Sequence, residues 1–157
     1  MIAVMLVVGV SDRLYANEFL PVIRIIDRRK NTILHEEYLN PNNVRFALTY
    51  THSVDGTPVI ERYRIDLSKQ IIIYEMLYKT LGAGMEFNPP TGRLETDGSW
   101  FVIRDMHRVL NPYLLRVGDI SNPYLVFDDS VLRLLNKTTP GTLVEIQYME
   151  RKKGELP

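Results

Sequence analysis

The feature that most constrains the fold is an alternation of apolar and polar residues on both sides of Asp55-Gly56. From Val44 to Thr51, and again from Val59 to Leu67, the residues at every second position are mostly apolar or aromatic. A period of two is that of a β-strand with one buried face, and Asp-Gly is typical of a hairpin turn. We therefore predict an antiparallel hairpin whose tip, His52–Pro58, is longer than two residues.

Further strand patterns separated by turn residues predict a mainly β protein, either an antiparallel sandwich or a barrel. The 157 residues fit one domain, 1–157, with an exposed tail at 150–157. The additional predicted strands are Leu20–Asp27, Thr32–Leu39, Arg93–Thr96, Ser99–Arg104, Tyr124–Phe127 and Thr142–Met149. The apolar faces predict a core that includes Phe46, Leu48, Tyr63, Ile65, Val102, Val144 and Ile146.

One or two short helices are also predicted. In Ser68–Leu81 the apolar residues recur at helical spacing, although the run Ile71-Ile72-Ile73 favours a strand. Asp128-Asp129-Ser130 is typical of a helix cap and predicts a short helix through Leu135. Met106–Val117 has room for one or two helical turns, interrupted at Asn111-Pro112.

Composition narrows the function classes. Nineteen basic residues balance nineteen acidic ones, whereas proteins that bind nucleic acid usually carry a basic surplus, so no nucleic-acid partner is expected. The absence of cysteine excludes disulfides and thiolate metal sites. The apolar run Met1–Val10 is too short for a membrane span and lacks the basic start of a signal peptide, so we interpret it as a buried strand and expect no membrane association.

Catalytic and metal-binding motifs are not found. Gly82-Ala83-Gly84 begins like a dinucleotide-binding loop, but Phe87 stands where the third glycine is needed. His35-Glu36 has Leu39 in place of the second histidine of a zinc-protease helix. There is no phosphate-binding loop and no Gly-x-Ser-x-Gly sequence. We therefore predict no catalytic residue, no metal and no cofactor.

The remaining polar candidates have simpler structural explanations. His35, His52 and His107 are few for a metal site, and each is expected to be a surface or hydrogen-bonded histidine. Asp105 and His107 would share a strand face, which is an arrangement that orients an imidazole, but no nucleophile accompanies them. Asp128 and Asp129 could begin a cation site, but helix capping accounts for both.

The C-terminal third resembles the closing hairpin of bacteriophage virion modules found in tail, neck and fibre proteins. The similarity is carried by Tyr124–Phe127, followed after an apolar spacer by Thr139–Tyr148, in which Pro140-Gly141 precedes a β-branched strand ending in tyrosine. It covers about 25 residues, and the helix-like stretch 131–135 departs from the pattern. The resemblance implies a structural protein of a particle and transfers no functional residue.

These observations favour a non-enzymatic assembly module that works through protein–protein contacts, as a homo-oligomer or in a larger virion structure. The predicted interface is the loop 82–92, with Met85, Phe87, Pro89 and Pro90, because exposed apolar tips gain nothing from water. The alternative at this loop is that it folds back on its own sheet. A small-ligand or carbohydrate-binding β module, using Trp100 or exposed tyrosines for stacking, is the second hypothesis.

Overall fold

The computed structural model describes residues 18–82, 84–85 and 88–154, and within them the regular secondary structure is almost entirely β. The predicted strand at Met1–Val10 lies outside the described residues. A single turn of 3-10 helix, Leu134–Asn136, is the only helical element in this part of the chain. The twelve strands are β1 (Phe19–Asp27), β2 (Thr32–Tyr38), β3 (Arg45–Thr51), β4 (Pro58–Ile65), β5 (Ile71–Tyr78), β6 (Arg93–Asp97), β7 (Trp100–Arg104), β8 (Arg108–Leu110), β9 (Tyr113–Arg116), β10 (Tyr124–Val126), β11 (Val131–Arg133) and β12 (Leu143–Lys152).

The strands form two antiparallel sheets. The smaller sheet has the order β2-β1-β12-β9, and the larger has the order β11-β10-β3-β4-β5-β7-β6, with β8 also paired to β5. The chain passes from the larger sheet to the smaller one between β8 and β9, through the cis peptide bond Asn111-Pro112. This crossover places β9 at an edge of the smaller sheet, directly after a strand of the larger one.

The predicted hairpin around Asp55-Gly56 is confirmed. β3 pairs antiparallel with β4, with Phe46 opposite Tyr63 and Leu48 opposite Glu61. Gly56 has a φ of 67°, a left-handed conformation that glycine adopts without strain. The predicted hairpins around 28–31 and 97–99 also form, as β1–β2 and β6–β7.

The segments that the sequence offered for one or two short helices form strands and a single 3-10 turn instead. Ile71–Tyr78 is β5, a central strand paired with β4, β7 and β8. Its burial explains the error, because a strand covered on both faces is apolar throughout and also satisfies a helical spacing. Residues 106–117 contain β8 and β9, and 128–135 contain β11 before the 3-10 turn, so Asp128 and Asp129 do not cap a helix.

Both sheets contribute to one hydrophobic core. Ile23, Ile25, Val144 and Ile146 of the smaller sheet cluster with apolar residues of the larger one. Among the predicted core residues, Ile65 is partly buried and the other six are buried. The core contains a row of aromatic contacts in the order Phe127, Phe46, Tyr63 and Tyr113, with ring centroids 6.0, 4.8 and 5.2 Å apart. The last ring of this row lies in β9, at the crossover between the sheets.

The predicted exposed tail at 150–157 overlaps the end of β12, where Glu150 and Lys152 are exposed. β12 continues to Lys152, which pairs with Phe19, and Arg151 forms an ion pair with Glu36 at 2.9 Å. Residues 150–152 are therefore part of the smaller sheet. They pair with the first three residues of β1, so β12 pairs with β1 along the whole length of β1. No helix among the described residues is long and apolar enough to cross a membrane.

Candidate functional site

A cleft opens where β9 meets the inner face of the larger sheet. Its volume is about 480 Å³, which lies within the range typical of small-molecule sites. β9 borders it on one side, and β3, β4, β5 and β8 border it on the other. Most of its wall is apolar: Leu48, Ile73, Leu110, Pro112, Leu114, Leu115 and Pro123.

Glu61 places a carboxylate in this apolar cleft. The residue belongs to β4 and lies opposite Leu48, so it occupies a position on the inner face of the sheet where an apolar residue is expected. Tyr63 donates a hydrogen bond to one carboxylate oxygen, and Tyr50 donates one to the other at 3.2 Å. Glu61 is therefore oriented from both oxygens while it remains partly exposed to the cleft.

The hydroxyl of a third tyrosine, Tyr113, extends this hydrogen-bond network. The hydroxyl oxygens of Tyr63 and Tyr113 are 2.8 Å apart. Since the single proton of Tyr63 is donated to Glu61, Tyr113 is the donor to Tyr63, and the chain of hydrogen bonds ends at the carboxyl group. Both rings are almost fully buried, so their positions are set by core packing. The chain links the smaller sheet, through β9, to the carboxylate of β4.

Burial dominates the electrostatics of the group. Burial raises the pKa of Glu61, against the lowering effects of the hydrogen bonds from Tyr63 and Tyr50 and of the nearby charge of Arg108. Burial also raises the pKa of Tyr50, and raises those of Tyr63 and Tyr113 well above the ordinary tyrosine value. All three hydroxyls therefore keep their protons and act as hydrogen-bond donors at neutral pH.

Further polar groups stand around the same cleft. Arg108, Arg116 and Ser121 line it, and Arg116 also donates a hydrogen bond to the carbonyl oxygen of Gly141 at 2.8 Å. The cleft thus combines an apolar wall with a carboxylate that accepts hydrogen bonds and guanidinium groups that donate them. Such a surface can hold an apolar body and orient a polar head group.

The comparison with known families covers this region. The model of a family described as "Domain of unknown function (DUF1850)" matches residues 46–134, which is more than half of the chain. The chain belongs to this family. The matched span runs from β3 to the end of β11 and includes every residue that lines the cleft. No curated protein and no solved structure matches the sequence.

The three histidines lie apart from the cleft. His35 contacts Glu37 at 2.8 Å, and His52 contacts Asp55 at 3.2 Å within the turn between β3 and β4. The side chain of His107 is exposed. Among the described residues, no group of three histidine, aspartate or glutamate side chains is placed to hold a metal ion.

Asp105 and His107 do not share a strand face as predicted. β7 ends at Arg104, and Asp105 has a φ of 57°, which breaks the strand before β8 begins. Asp105 instead forms an exposed ion pair with Arg93 at 3.3 Å. Asp128 accepts hydrogen bonds from the Asn43 side chain at 3.0 and 3.2 Å, and Asp129 is exposed beside it.

The predicted interface loop is described only in part. Met85 is partly buried against the core, as in the fold-back alternative, whereas Phe87 lies outside the described residues. Pro89 is half-buried and Pro90 is exposed. Trp100 does not line the cleft, and Lys79 lies over its ring at 3.9 Å from the centroid.

Glu61, Tyr50 and Tyr113 are not among the residues predicted from the sequence to form a site, and Tyr63 is predicted only as a core residue. A signal was present, because Glu61 is the one charged residue in the series Val59, Glu61, Tyr63 and Ile65 that occupies the buried face of β4. A carboxylate at a core-facing position is costly without partners and therefore indicates a polar site. The partner Tyr113 could not be found in this way, since it comes from the other sheet.

Proposed function

We propose that the protein is a non-enzymatic binding module that holds a small amphipathic ligand in the cleft at Glu61. The observation that carries this proposal is the carboxylate of Glu61, held by Tyr50 and Tyr63 inside a mostly apolar cleft of about 480 Å³. The proposed scaffold is a two-sheet sandwich, which is supported by the single core to which both sheets contribute.

The chemistry of the cleft defines the ligand. Apolar side chains favour an apolar body, and the remaining lone pairs of the Glu61 carboxylate favour a hydroxyl or ammonium head that donates hydrogen bonds. The surrounding hydroxyls and walls are held by the core, so little ordering is needed on binding. Carbohydrates are less suitable, because they require a polar wall or an open aromatic platform, and Lys79 covers one side of Trp100.

A thermal-shift screen with paired compounds tests the proposal. Each pair shares one aryl or alkyl body and ends either in an amine or hydroxyl, or in a methyl group. We expect the donor-bearing member to raise the Tm of the wild type. Glu61→Gln is expected to weaken its binding about tenfold or more, since a hydrogen bond to a charged group is lost.

Glu150→Gln is the matched control, because Glu150 also accepts a tyrosine hydrogen bond but lies away from the cleft. It is expected to bind as the wild type does. The proposal is wrong if no donor-bearing compound shifts the wild-type Tm, if the methyl-capped partners bind equally well, or if Glu61→Gln and Glu150→Gln have equal affinities.

The assembly hypothesis, including a virion role and homo-oligomerisation, stays a prediction. The proposed contact is the loop 82–92. Met85 of this loop is partly buried against the core, which leaves less apolar surface there for a partner. Light scattering on the wild type and on a Met85→Ser, Phe87→Ser variant distinguishes the two cases. Equal monomer masses at tens of micromolar would exclude self-association through this loop.

A further inference from the structure

A second polar site lies on the opposite, outer face of the larger sheet, where Tyr74 interrupts the regular pairing of β5. Arg62 pairs with Glu75 and Tyr63 pairs with Ile73, so Tyr74 is the extra residue of a β-bulge. Bulges redirect a side chain and are common beside functional sites. The backbone carbonyl of the bulged residue accepts a hydrogen bond from Met106 at 2.9 Å, which holds it in place.

Two arginines converge on the ring of Tyr74. Arg45 and Arg64 lie directly opposite each other in β3 and β4, and both are exposed. The guanidinium carbon of Arg45 is 5.4 Å from the ring centroid, and that of Arg64 is 5.9 Å away. Both cations are within the distance of a cation–π interaction, so one ring positions two positive charges.

These two charges differ from the other arginines of this face. Arg62 and Arg104 both form ion pairs with Glu75. No carboxylate among the described residues lies within 4.0 Å of the guanidinium of Arg45 or Arg64. Like charges directly opposite each other destabilise a sheet, which makes such an unneutralised pair unfavourable in the absence of an anion.

A cation–π contact does not use the hydrogen-bond donors of an arginine. A guanidinium contacts an aromatic ring through its flat face, whereas its five N–H donors lie in its own plane. A cleft of about 290 Å³ is lined by Arg45 and Tyr74, together with Arg62, Asn43 and Asp128, and Arg64 lies outside its lining. The Asn43 amide donates hydrogen bonds to both oxygens of Asp128, so this carboxylate is engaged locally.

We propose that Arg45, Arg64 and Tyr74 form a binding site for a small phosphate-bearing ligand. A phosphate group supplies up to two negative charges and three acceptor oxygens, which match two guanidinium groups held side by side. The zero net charge of the chain favours a small ligand over a polyanion. This site does not depend on the cleft at Glu61, which lies on the other face of the sheet.

Titration of the ¹⁵N-labelled protein with inorganic phosphate and with phenyl phosphate tests the proposal. The arginine side-chain Nε–H signals of Arg45 and Arg64 are expected to shift with saturation. Arg64→Gln is expected to weaken phosphate binding about tenfold or more, because a charge-assisted pair is removed. Arg64→Lys keeps the charge but loses the planar fork, so its binding is also expected to be weaker than that of the wild type.

Arg133→Gln is the matched control, since Arg133 lies over a single ring, that of Tyr124, at 5.3 Å in the same sheet. It is expected to bind phosphate like the wild type. Without phosphate, Arg64→Gln is expected to change Tm little, because a lost cation–π contact and a relieved repulsion are of similar size. A large fall in Tm for Arg64→Gln would instead indicate a structural role and overturn the proposal.

Two other outcomes overturn it as well. One is the absence of saturable shifts at Arg45 and Arg64 with up to about 10 mM of either phosphate compound, a concentration that would half-saturate a site with a Kd of about 10 mM. The other is binding of a short oligonucleotide without binding of either small phosphate, which would assign the arginines to nucleic acid.

Discussion

Tyr50 donates a hydrogen bond to Glu61 in the cleft, and Tyr148 donates one to Glu150 at the end of β12, with O–O distances of 3.2 and 3.1 Å. The chemical groups and the geometry of the two pairs are almost the same. Their surroundings differ, because Glu61 faces apolar side chains whereas Glu150 is exposed and contacts Lys69 at 2.6 Å.

The electrostatic outcome is opposite in the two pairs. Burial raises the pKa of Glu61, whereas the hydrogen bond from Lys69 lowers the pKa of Glu150. Burial also raises the pKa of Tyr148 to about 12, which is a smaller shift than that of the more deeply buried Tyr50. A tyrosine–glutamate pair therefore has no fixed electrostatic character, and desolvation decides whether its carboxylate prefers the neutral or the charged form.

The largest effect on stability is expected when the Tyr63 hydroxyl, which supports the buried Tyr50–Glu61 pair, is removed. Tyr63→Phe removes a hydroxyl that donates a hydrogen bond to Glu61 and accepts one from Tyr113. Both partners then lose a hydrogen bond inside the protein. We expect the free energy of unfolding to fall by about 1–3 kcal/mol, measured by urea denaturation.

Tyr148→Phe is the control, because it removes the equivalent hydroxyl of the exposed pair. Its effect is expected within about 0.5 kcal/mol, as for other surface substitutions. Equal losses in the two variants would show that burial adds nothing to the stabilising effect of the Tyr63 hydroxyl.

The pH dependence of stability is expected to have opposite signs in the two pairs. The pKa of Glu61 in the folded protein lies above the ordinary value of 4.5, so the folded state binds this proton more tightly. Between the two values the free energy of unfolding falls as pH rises, by at most about 1.4 kcal/mol per pH unit. Glu61→Gln removes this dependence. Urea denaturation of both proteins from pH 4 to 8 measures it as the difference between their free energies of unfolding.

Parallel curves for the wild type and Glu61→Gln would contradict this prediction, and so would a difference that grows in the wild type's favour as pH rises. Glu150 supplies the contrasting case. Because its folded-state pKa is lowered, its stabilising contribution is present above pH 4.5 and is lost as pH falls.

A smaller effect is expected when the exposed ion pair is broken. Lys69→Met removes the cation beside Glu150, and the pKa of Glu150 should rise toward its ordinary value. Carboxyl NMR titration measures this rise directly. The free energy of unfolding should change by only about 0.2–1 kcal/mol, because the Lys69 side chain is mostly exposed and solvent screens the pair. An unchanged pKa of Glu150 would show that Lys69 is not its main partner.

The smallest effect is expected at His107. Its side chain is exposed and contributes to neither tyrosine–glutamate pair. His107→Ala should leave the free energy of unfolding within about 0.5 kcal/mol of the wild-type value, as measured by urea denaturation. A larger loss would reveal a partner for His107 that exposure alone does not indicate.

Local sequence patterns predicted the hairpins well, because alternation and turn residues act over a few neighbouring positions. The pairing of Phe46 with Tyr63 follows from the turn between them and from which face is apolar. The helix predicted from local spacing at β5 was wrong. A strand that is covered on both faces has no polar side, so its residues do not alternate with a period of two. The short strands β8 and β9 were also missed, because three or four residues are too few to show any period.

By itself, the sequence determined the β character, the main hairpins and most of the core, since each depends on local periodicity. Only the tertiary structure decided that Tyr113 of one sheet meets Tyr63 of the other, and that Arg45 and Arg64 both lie over the ring of Tyr74. The first contact depends on a crossover between sheets, and the second on a one-residue bulge. Both sites arise from long-range pairing, which depends on how the whole chain buries its apolar surface and not on the spacing of neighbouring residues.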